Sequence, residues 1–465
     1  MQSILIQQRQ AQQAEGTPSA AIRIDRLDRV IGLLVDHARE IADALSDDFG
    51  HRSIQGSLVT DVAASIEPLK HAKNHVRRWM RRERRAVTPA ALALLGARAW
   101  VDYQPKGVVG VIAPWNFPFN LTFSPLAGIL AAGNRAMIKP SEFTPRSSAL
   151  MQTMIAKAFD PAELAVVTGD QSIGETFAAL PFDHLLFTGA TSVAKHVMRA
   201  AAENLVPVTL ELGGKSPAIV GPDADLDRVA ERLLFGKTLN AGQICVAPDY
   251  ALVPHDKVDA FASALAQRFT LMYPTLRGNG DYTSIVNERN LDRLQGYLAD
   301  AREKGATVRS LDASVDIVED RKLPLHLVID PTDDMRVMRE EIFGPILPIV
   351  PYRRLDDAIA YVNARPRPLA LYCFGDDRAM QERLLADIVA GGVTINDTVM
   401  HLTMDNLPFG GVGPSGMGAY HGFDGFRTFS HARSVYRQAW FDVGKLLRPP
   451  YGRGIDAVLK TKIRR

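Results

Sequence analysis

Cysteine is scarce in this chain: its 465 residues contain two, Cys245 and Cys373. Two thiols so far apart exclude a disulfide framework and fit a reducing compartment. Neither Cys-x-x-Cys nor His-Glu-x-x-His occurs, and the 11 histidines are scattered rather than paired at ligand spacing, so no metal is expected. Long apolar runs are missing as well. Residues 90–95 and 129–132 fall far short of the ~20 needed to cross a bilayer. Residues 1–13 are rich in Gln and lack the apolar core and small-residue cleavage site of a secretory signal. A soluble, cytoplasmic protein with no membrane span is the expectation. Charge of one sign is not in excess: 54 Lys and Arg against 52 Asp and Glu leave +2. That balance argues against an acidic tail and against a strongly nucleic-acid-binding surface.

What is present is ordinary globular composition in a chain too long for one core, which points to two or three domains. From 22 to 49 and from 59 to 82, apolar residues recur at helical spacing with charges between them, predicting two or more long surface helices. The second ends in Arg77-Arg78-Trp79-Met80-Arg81-Arg82-Glu83-Arg84-Arg85, read as a solvated helix face rather than a nucleic-acid or lipid patch. Lys460-Thr461-Lys462-Ile463-Arg464-Arg465 reads the same way. After Pro105-Lys106-Gly107, β-like runs at 108–112, 135–138, 164–167 and 184–187 alternate with helical stretches around 124–132, 147–158, 173–179 and 192–204. A second series follows Glu211, with strands near 217–220, 250–253 and 346–350 and helices near 226–235, 257–268 and 291–304. Such alternation predicts parallel βαβ units. The fold class is therefore α/β, with two domains joined near 207–212.

Two nucleotide-type motifs fail in context. Gly411-Val412-Gly413-Pro414-Ser415-Gly416 matches Gly-x-Gly-x-x-Gly, but no apolar strand precedes it and proline stands where a helix should begin. Gly214-Lys215-Ser216 resembles the end of a phosphate-binding loop, yet Thr209 stands where that loop needs glycine. More informative is Gly242-Gln243-Ile244-Cys245-Val246-Ala247-Pro248-Asp249-Tyr250, downstream of Glu211-Leu212-Gly213-Gly214. A thiolate can attack a carbonyl carbon and hold the product as a thioester, and a positioned glutamate can activate the water that releases it. By spacing alone, a cysteine is more often a small buried hydrophobe than a nucleophile.

The remaining motifs form an ordered set: Pro114-Trp115-Asn116-Phe117-Pro118, Lys139-Pro140-Ser141-Glu142, Phe187-Thr188-Gly189, Glu211-Leu212-Gly213-Gly214, Gly242-Gln243-Ile244-Cys245, Glu341-Ile342-Phe343-Gly344-Pro345 and Leu407-Pro408-Phe409-Gly410-Gly411. In this order, over residues from about 20 to about 440, the chain resembles an aldehyde dehydrogenase. Cys245-Val246-Ala247-Pro248-Asp249-Tyr250 and the ending Tyr420-His421-Gly422…Thr428-Phe429-Ser430-His431 are similar to the class 3 branch, and within it to the bacterial coniferyl-aldehyde dehydrogenases.

The resemblance implies two parallel-sheet Rossmann-like domains and a small β oligomerisation arm. An NAD(P)-binding domain is expected at 1–86 and 106–209, a catalytic domain at 210–406, the arm at 87–105 and 426–445, an active-site loop region at 407–425 and a tail at 446–465. It further implies Cys245 as nucleophile, Glu211 as general base and Asn116 as oxyanion donor. Trp115, Lys139, Glu142, Gly189, Leu212, Gly213, Glu341 and Phe343 are implied cofactor residues, and Phe117, Phe119, Leu121 and Ile244 a substrate channel suited to aromatic or medium-chain aldehydes. NAD is the expected cofactor, with NADP possible, because Glu142 would repel a 2′-phosphate. A homodimer is expected from segments 98–104 and 434–440, which fit the arm. One departure stands out: the family's Gly-Ser-x-x-x-Gly is Gly189-Ala190-Thr191-Ser192-Val193-Ala194, so a phosphate-binding hydroxyl is absent unless Thr191 or Ser192 supplies it. The implied reaction is oxidation of an aldehyde to its acid through a Cys245 thioester. Its rivals are a coenzyme A-acylating dehydrogenase, which has no need of Glu211, a thiol hydrolase, which needs a base paired with the cysteine, and a non-catalytic NAD-binding protein.

Overall fold

The computed structural model describes residues 1–312, 320–442, 444–445 and 448–463. Its strands are β1 (Glu83–Arg85), β2 (Arg98–Pro105), β3 (Val108–Ile112), β4 (Arg135–Lys139), β5 (Leu164–Val166), β6 (His184–Gly189), β7 (Val208–Leu212) and β8 (Pro217–Val220). They continue with β9 (Tyr250–Pro254), β10 (Thr307–Ser310), β11 (His326–Ile329), β12 (Ile346–Tyr352), β13 (Ala370–Phe374), β14 (Gly392–Ile395), β15 (Gly416–Met417) and β16 (Ser430–Arg437). Among the described residues these build three sheets. A six-stranded sheet runs β15-β7-β6-β3-β4-β5, a seven-stranded sheet runs β10-β11-β12-β9-β8-β13-β14, and β1-β2-β16 form a small antiparallel arm. Only the edge strands β15 and β10 are antiparallel in the two large sheets.

The central strands are apolar runs buried on both faces, as parallel strands covered by helices must be. Several helices between them start where a side chain can take the first free N–H groups: Asp170 caps Gln171–Ala178, Asp225 caps Leu226–Thr238 and Asn287 caps Glu288–Glu303. The N-terminal helices Ala20–Asp36 and Ala38–Phe49 break at His37 and bury Leu27, Val30, Leu34, Ile41 and Leu45 against the six-stranded sheet's domain.

Several elements differ from the sequence reading. Segment 207–212, read as the joint between domains, is β7, whose residues pair with β6 from Leu185 to Gly189. The boundary placed at 209/210 therefore cuts a hydrogen-bonded strand, and the turn between the sheets is 213–216. Helix Gln2–Glu15 was not expected from its polar composition, yet Gln8 is wholly buried and donates to the carbonyls of Ala136 and Pro161. The strand read at 434–440 is β16, four residues earlier at its start, because its register against β2 runs from Ser430↔Pro105 to Arg437↔Arg98. The basic run near 77–85 is a helix end leading into β1, with Arg77, Arg78, Arg81, Arg82, Arg84 and Arg85 exposed and Trp79 buried. No helix among the described residues is long and apolar enough to cross a membrane. Arg464 and Arg465 of the C-terminal basic run lie outside the described residues.

In the six-stranded sheet β3 is flanked by β4 on one side and β6 on the other, so chain order reverses there. Crevices outside the carboxyl ends of strands at such a point are where open α/β sheets bind ligands. Asn116 follows β3, Glu142 follows β4, Gly189 ends β6 and Gly213 follows β7. The amino ends of β8, β9 and β12 meet this edge, and the loops that enter them carry Lys215, Cys245 and Glu341. One groove thus collects residues spread over more than 200 positions.

Candidate active site

Cys245 owes its position to a left-handed run. Asn240, Ala241 and Gly242 have φ of 51°, 53° and 74°, and a Cβ on Gly242 would lie 2.6 Å from the Gly344 carbonyl oxygen. Left-handed backbone costs non-glycine residues about 1–2 kcal/mol each, so the surroundings must hold it. They do so through buried amides. Gln243 donates to the carbonyls of Asn240 and Ser284 at 3.0 and 3.1 Å and accepts from Val286 N–H at 3.0 Å. Asn240 Nδ2 donates to the carbonyls of Asn116 and Gln243.

Asn116 is 3% exposed, and its Nδ2 donates to the Gln243 carbonyl at 3.2 Å. An amide nitrogen carries two N–H groups, so one remains for a reacting oxygen beside Cys245. Glu211 lies in β7 between Thr188 of β6 and Gly416 of β15. It is 1% exposed, and neither carboxylate oxygen has a hydrogen-bond partner of normal length. Burial pushes its pKa up to about 7, while its proximity to the Cys245 thiol opposes the rise. Burial first, then the Glu211 and Glu341 carboxylates, raise the Cys245 thiol well above its ordinary range. A protonated thiol beside a carboxylate poised near neutrality is an acid–base pair. Cys373, in β13, is buried with its pKa raised to about 12 by burial, and has no such partner.

The other residues cluster around this core. Glu341 lies against Gly213 so closely that a Cβ there would sit 2.2 Å from both carboxylate oxygens. Burial and then Asp249 push the Glu341 carboxyl to about 8. Phe343, itself left-handed at φ 48°, meets Trp115 edge-on at 5.3 Å. Lys139 is buried, with Nζ donating to the Pro140 carbonyl and lying 3.4 Å from the Glu142 carboxylate. Leu212 is buried at the end of β7. Gly189 packs on the Phe187 ring, and helix Thr191–Ala202 begins beyond it with no side-chain cap. Thr191 donates its hydroxyl to the Pro414 carbonyl, Ser192 is exposed, and Ala194 is packed where the motif has glycine. The open N–H groups of that helix, the unpartnered Thr188 hydroxyl, the Lys139–Glu142 bracket and the side-chain-free Gly213 together fit a dinucleotide.

The channel candidates separate. Phe117 lines a cavity of about 100 Å3 with Arg52, Phe235, Thr238, Leu239 and Tyr273. Phe119 does not face it: the ring is fully buried and stacks on Phe123 at 6.1 Å, because it closes the helix core rather than the groove. Leu121 and Ile244 are buried at 8% and 7% exposure within the main core. Residues that the sequence reading passed over are Asn240, Gln243, Asp249, Arg52 and Asp61, all buried and all bonded to the site's loops. Gln243 and Asp249 stand in the cysteine motif without a role read for them, and Asp61 is a charge set among mostly apolar residues. Among the described residues, no group of three or more His, Cys, Asp or Glu gathers as metal ligands would.

The aldehyde dehydrogenase family's sequence pattern matches residues 3–435. The chain belongs to the aldehyde dehydrogenase family. It is 56% identical to a protein named probable coniferyl aldehyde dehydrogenase from Caulobacter vibrioides, over 100% of this chain and 97% of that one. Identity to a coniferyl aldehyde dehydrogenase of a Pseudomonas species is 52%, over 99% and 95%. Among solved structures, substrate-bound AldH of Staphylococcus aureus superposes with a TM-score of 0.92 at 36% identity, covering 99% of each chain. This aldehyde dehydrogenase is an oxidoreductase that uses NAD(P) to oxidise aldehydes.

Proposed function

We propose that this enzyme oxidises aromatic aldehydes of the coniferyl type to their acids, with Cys245 as nucleophile, Asn116 as oxyanion donor and Glu211 as base. The observation that carries the reading is the buried, unpartnered Glu211 carboxylate facing the half-buried Cys245 thiol. The thiol passes its proton to Glu211 as sulfur bonds to the carbonyl carbon, and the free N–H of the Asn116 amide and the Cys245 backbone N–H hold the resulting oxyanion. NAD(P), when bound, supplies the acceptor for the hydride leaving that carbon. Trp115, Lys139, Glu142, Gly189, Leu212, Gly213, Glu341 and Phe343 would hold it. A thioester to Cys245 remains. Glu211, having released its first proton to solvent, takes one from water, whose oxygen attacks the thioester carbon. The C–S bond breaks with its electron pair returning to sulfur, Glu211 gives the proton taken from water back to the Cys245 thiolate, and the acid leaves.

The relatives named for coniferyl aldehyde support the aromatic substrate, as does the Phe117 and Phe235 lining of the adjoining cavity. The sheets support the domain division: Trp115, Lys139, Glu142, Gly189, Leu212 and Gly213 lie on or beside strands of the six-stranded sheet, and Cys245, Glu341 and Phe343 on loops of the seven-stranded one. A homodimer is supported by β16, an eight-residue edge strand of the arm with mostly exposed side chains and, among the described residues, an unpaired flank. Cysteine usage supports a cytoplasmic location. A panel of aldehydes assayed with NAD and with NADP, with product analysis in the presence and absence of coenzyme A, tests the reading. Free acid with the highest kcat/KM on hydroxycinnamaldehydes is expected. A coenzyme A ester as product, or preference for short aliphatic aldehydes, refutes it.

A further inference from the structure

Arg52 and Asp61 form an ion pair at 2.6 Å, with side chains 3% and 0% exposed. Removing two charges from water is expensive, and a buried pair often stabilises less than apolar residues of the same volume. Thr60 takes part locally, its Oγ1 accepting from Arg52 Nη2 at 3.2 Å and donating to Asp61 Oδ2 at 3.1 Å; the pair's remaining side-chain hydrogen bonds go to one short segment. Arg52 Nη1 donates to the Asn116 carbonyl at 2.8 Å, and Asp61 Oδ1 accepts from the N–H groups of Phe119 and Asn120 at 3.2 and 3.4 Å. Helix Asn120–Ala131 has no side-chain cap of its own at Phe119, so Asp61 supplies one from 58 residues earlier in the chain. Asp61 sits on a π-turn, Leu58–Ala63, between the helical turn Ile54–Ser57 and helix Ala64–Trp79. The wider turn shifts which face its residues present, and such turns recur at functional sites. The guanidinium is further fixed between the rings of Phe49 and Phe117, 5.0 and 4.9 Å from their centroids.

We infer that Arg52 and Asp61 are positioning residues that clamp both ends of the 116–120 segment and thereby aim the Asn116 amide at the oxyanion. The inference rests on the oxyanion role proposed for Asn116. From the cysteine loop, the Gln243 carbonyl accepts from the Asn116 side-chain amide and Asn240 Nδ2 donates to the Asn116 main-chain carbonyl, so the residue is fixed from both sides of the groove. An oxyanion donor contributes about 10²–10³ in rate, and an ångström of misplacement can forfeit 10²-fold.

The test is steady-state oxidation of cinnamaldehyde with NAD by full-length variants, alongside calorimetric titration of NAD. Asp61→Asn is expected to lower kcat/KM by about 10–100-fold, with the NAD dissociation constant unchanged within about 2-fold. In the Asn116→Ala background the same substitution should lower kcat/KM by less than about 3-fold, because its target is already gone. Arg52→Met/Asp61→Leu replaces the pair by apolar side chains and leaves no lone buried charge; it should fold, with a lower Tm because the Phe119 and Asn120 N–H groups lose their acceptor, while kcat/KM falls. Native kcat/KM in a folded Arg52→Met/Asp61→Leu enzyme overturns the inference. So does a loss in Asp61→Asn that multiplies in full with that of an impaired Asn116→Ala enzyme. Asn116→Ala with native kcat/KM removes the oxyanion reading itself, a result distinct from either.

Discussion

Replacing Glu211 by Gln probes stability and chemistry with one change of nearly equal shape. The carboxyl is 1% exposed, and its pKa rises from 4.5 in the unfolded chain to about 7 in the fold. An acid whose pKa rises on folding holds its proton more tightly in the native state. Stability is therefore greatest below about 4.5 and declines as pH rises through about 7, where ionisation of a desolvated group is forced. At 1.36 kcal/mol per unit, the full effect is about 3 kcal/mol. Glu211→Gln removes the ionisation, so its Tm should equal that of the native enzyme near pH 4.5 and exceed it by several degrees at pH 8. Its chemistry should suffer in the opposite sense. At pH 9, with one neighbouring negative charge removed from Cys245, the variant should release a burst of about one NADH per subunit and then turn over about 10²–10⁴-fold more slowly than the native enzyme. The native kcat should also rise with pH about a midpoint near 7 that the variant lacks. Differential scanning fluorimetry from pH 4.5 to 9 and stopped-flow absorbance at 340 nm supply both readouts. Equal Tm differences at all pH values, or unchanged steady-state turnover, refute the argument.

Other perturbations follow from the same geometry. Cys245→Ala should abolish NADH formation while calorimetry still detects NAD binding; residual aldehyde oxidation would identify another nucleophile. Gly213→Ala places a Cβ 2.2 Å from the Glu341 carboxylate oxygens, so that side chain must move, and a drop of about 10-fold in kcat/KM for NAD is expected. An unchanged value would separate Glu341 from the cofactor. Glu142→Ser removes the charge beside Lys139 and should raise the NADP-to-NAD ratio of kcat/KM by about 10-fold in low salt; an unaltered ratio would free Glu142 from any role in selection.

The α/β alternation was legible because strands buried on both faces are short apolar runs, and several of the helices between them carry their own capping residues. Glu211, Cys245, Glu341 and Asn116 were legible because their motifs have fixed local order. Local pattern failed where partners lie far away in the chain. Segment 207–212 reads as a joint until β6 pairs with it, and the Gln-rich start shows no reason to pack until Gln8 finds the carbonyls of Ala136 on β4 and Pro161 in the turn before β5. Phe119 looks like a channel residue beside Phe117, yet helix geometry turns it onto Phe123. Chemistry divides the same way. The sequence by itself determined which thiol, carboxylate and amide are available, since those are properties of residue type. Tertiary structure alone decided that Glu211 is desolvated beside the thiol, and that a buried Arg52–Asp61 pair grips the segment bearing Asn116. Desolvation and hydrogen-bond direction depend on everything within a few ångströms, and in this fold those neighbours come from several strands and loops scattered along the chain.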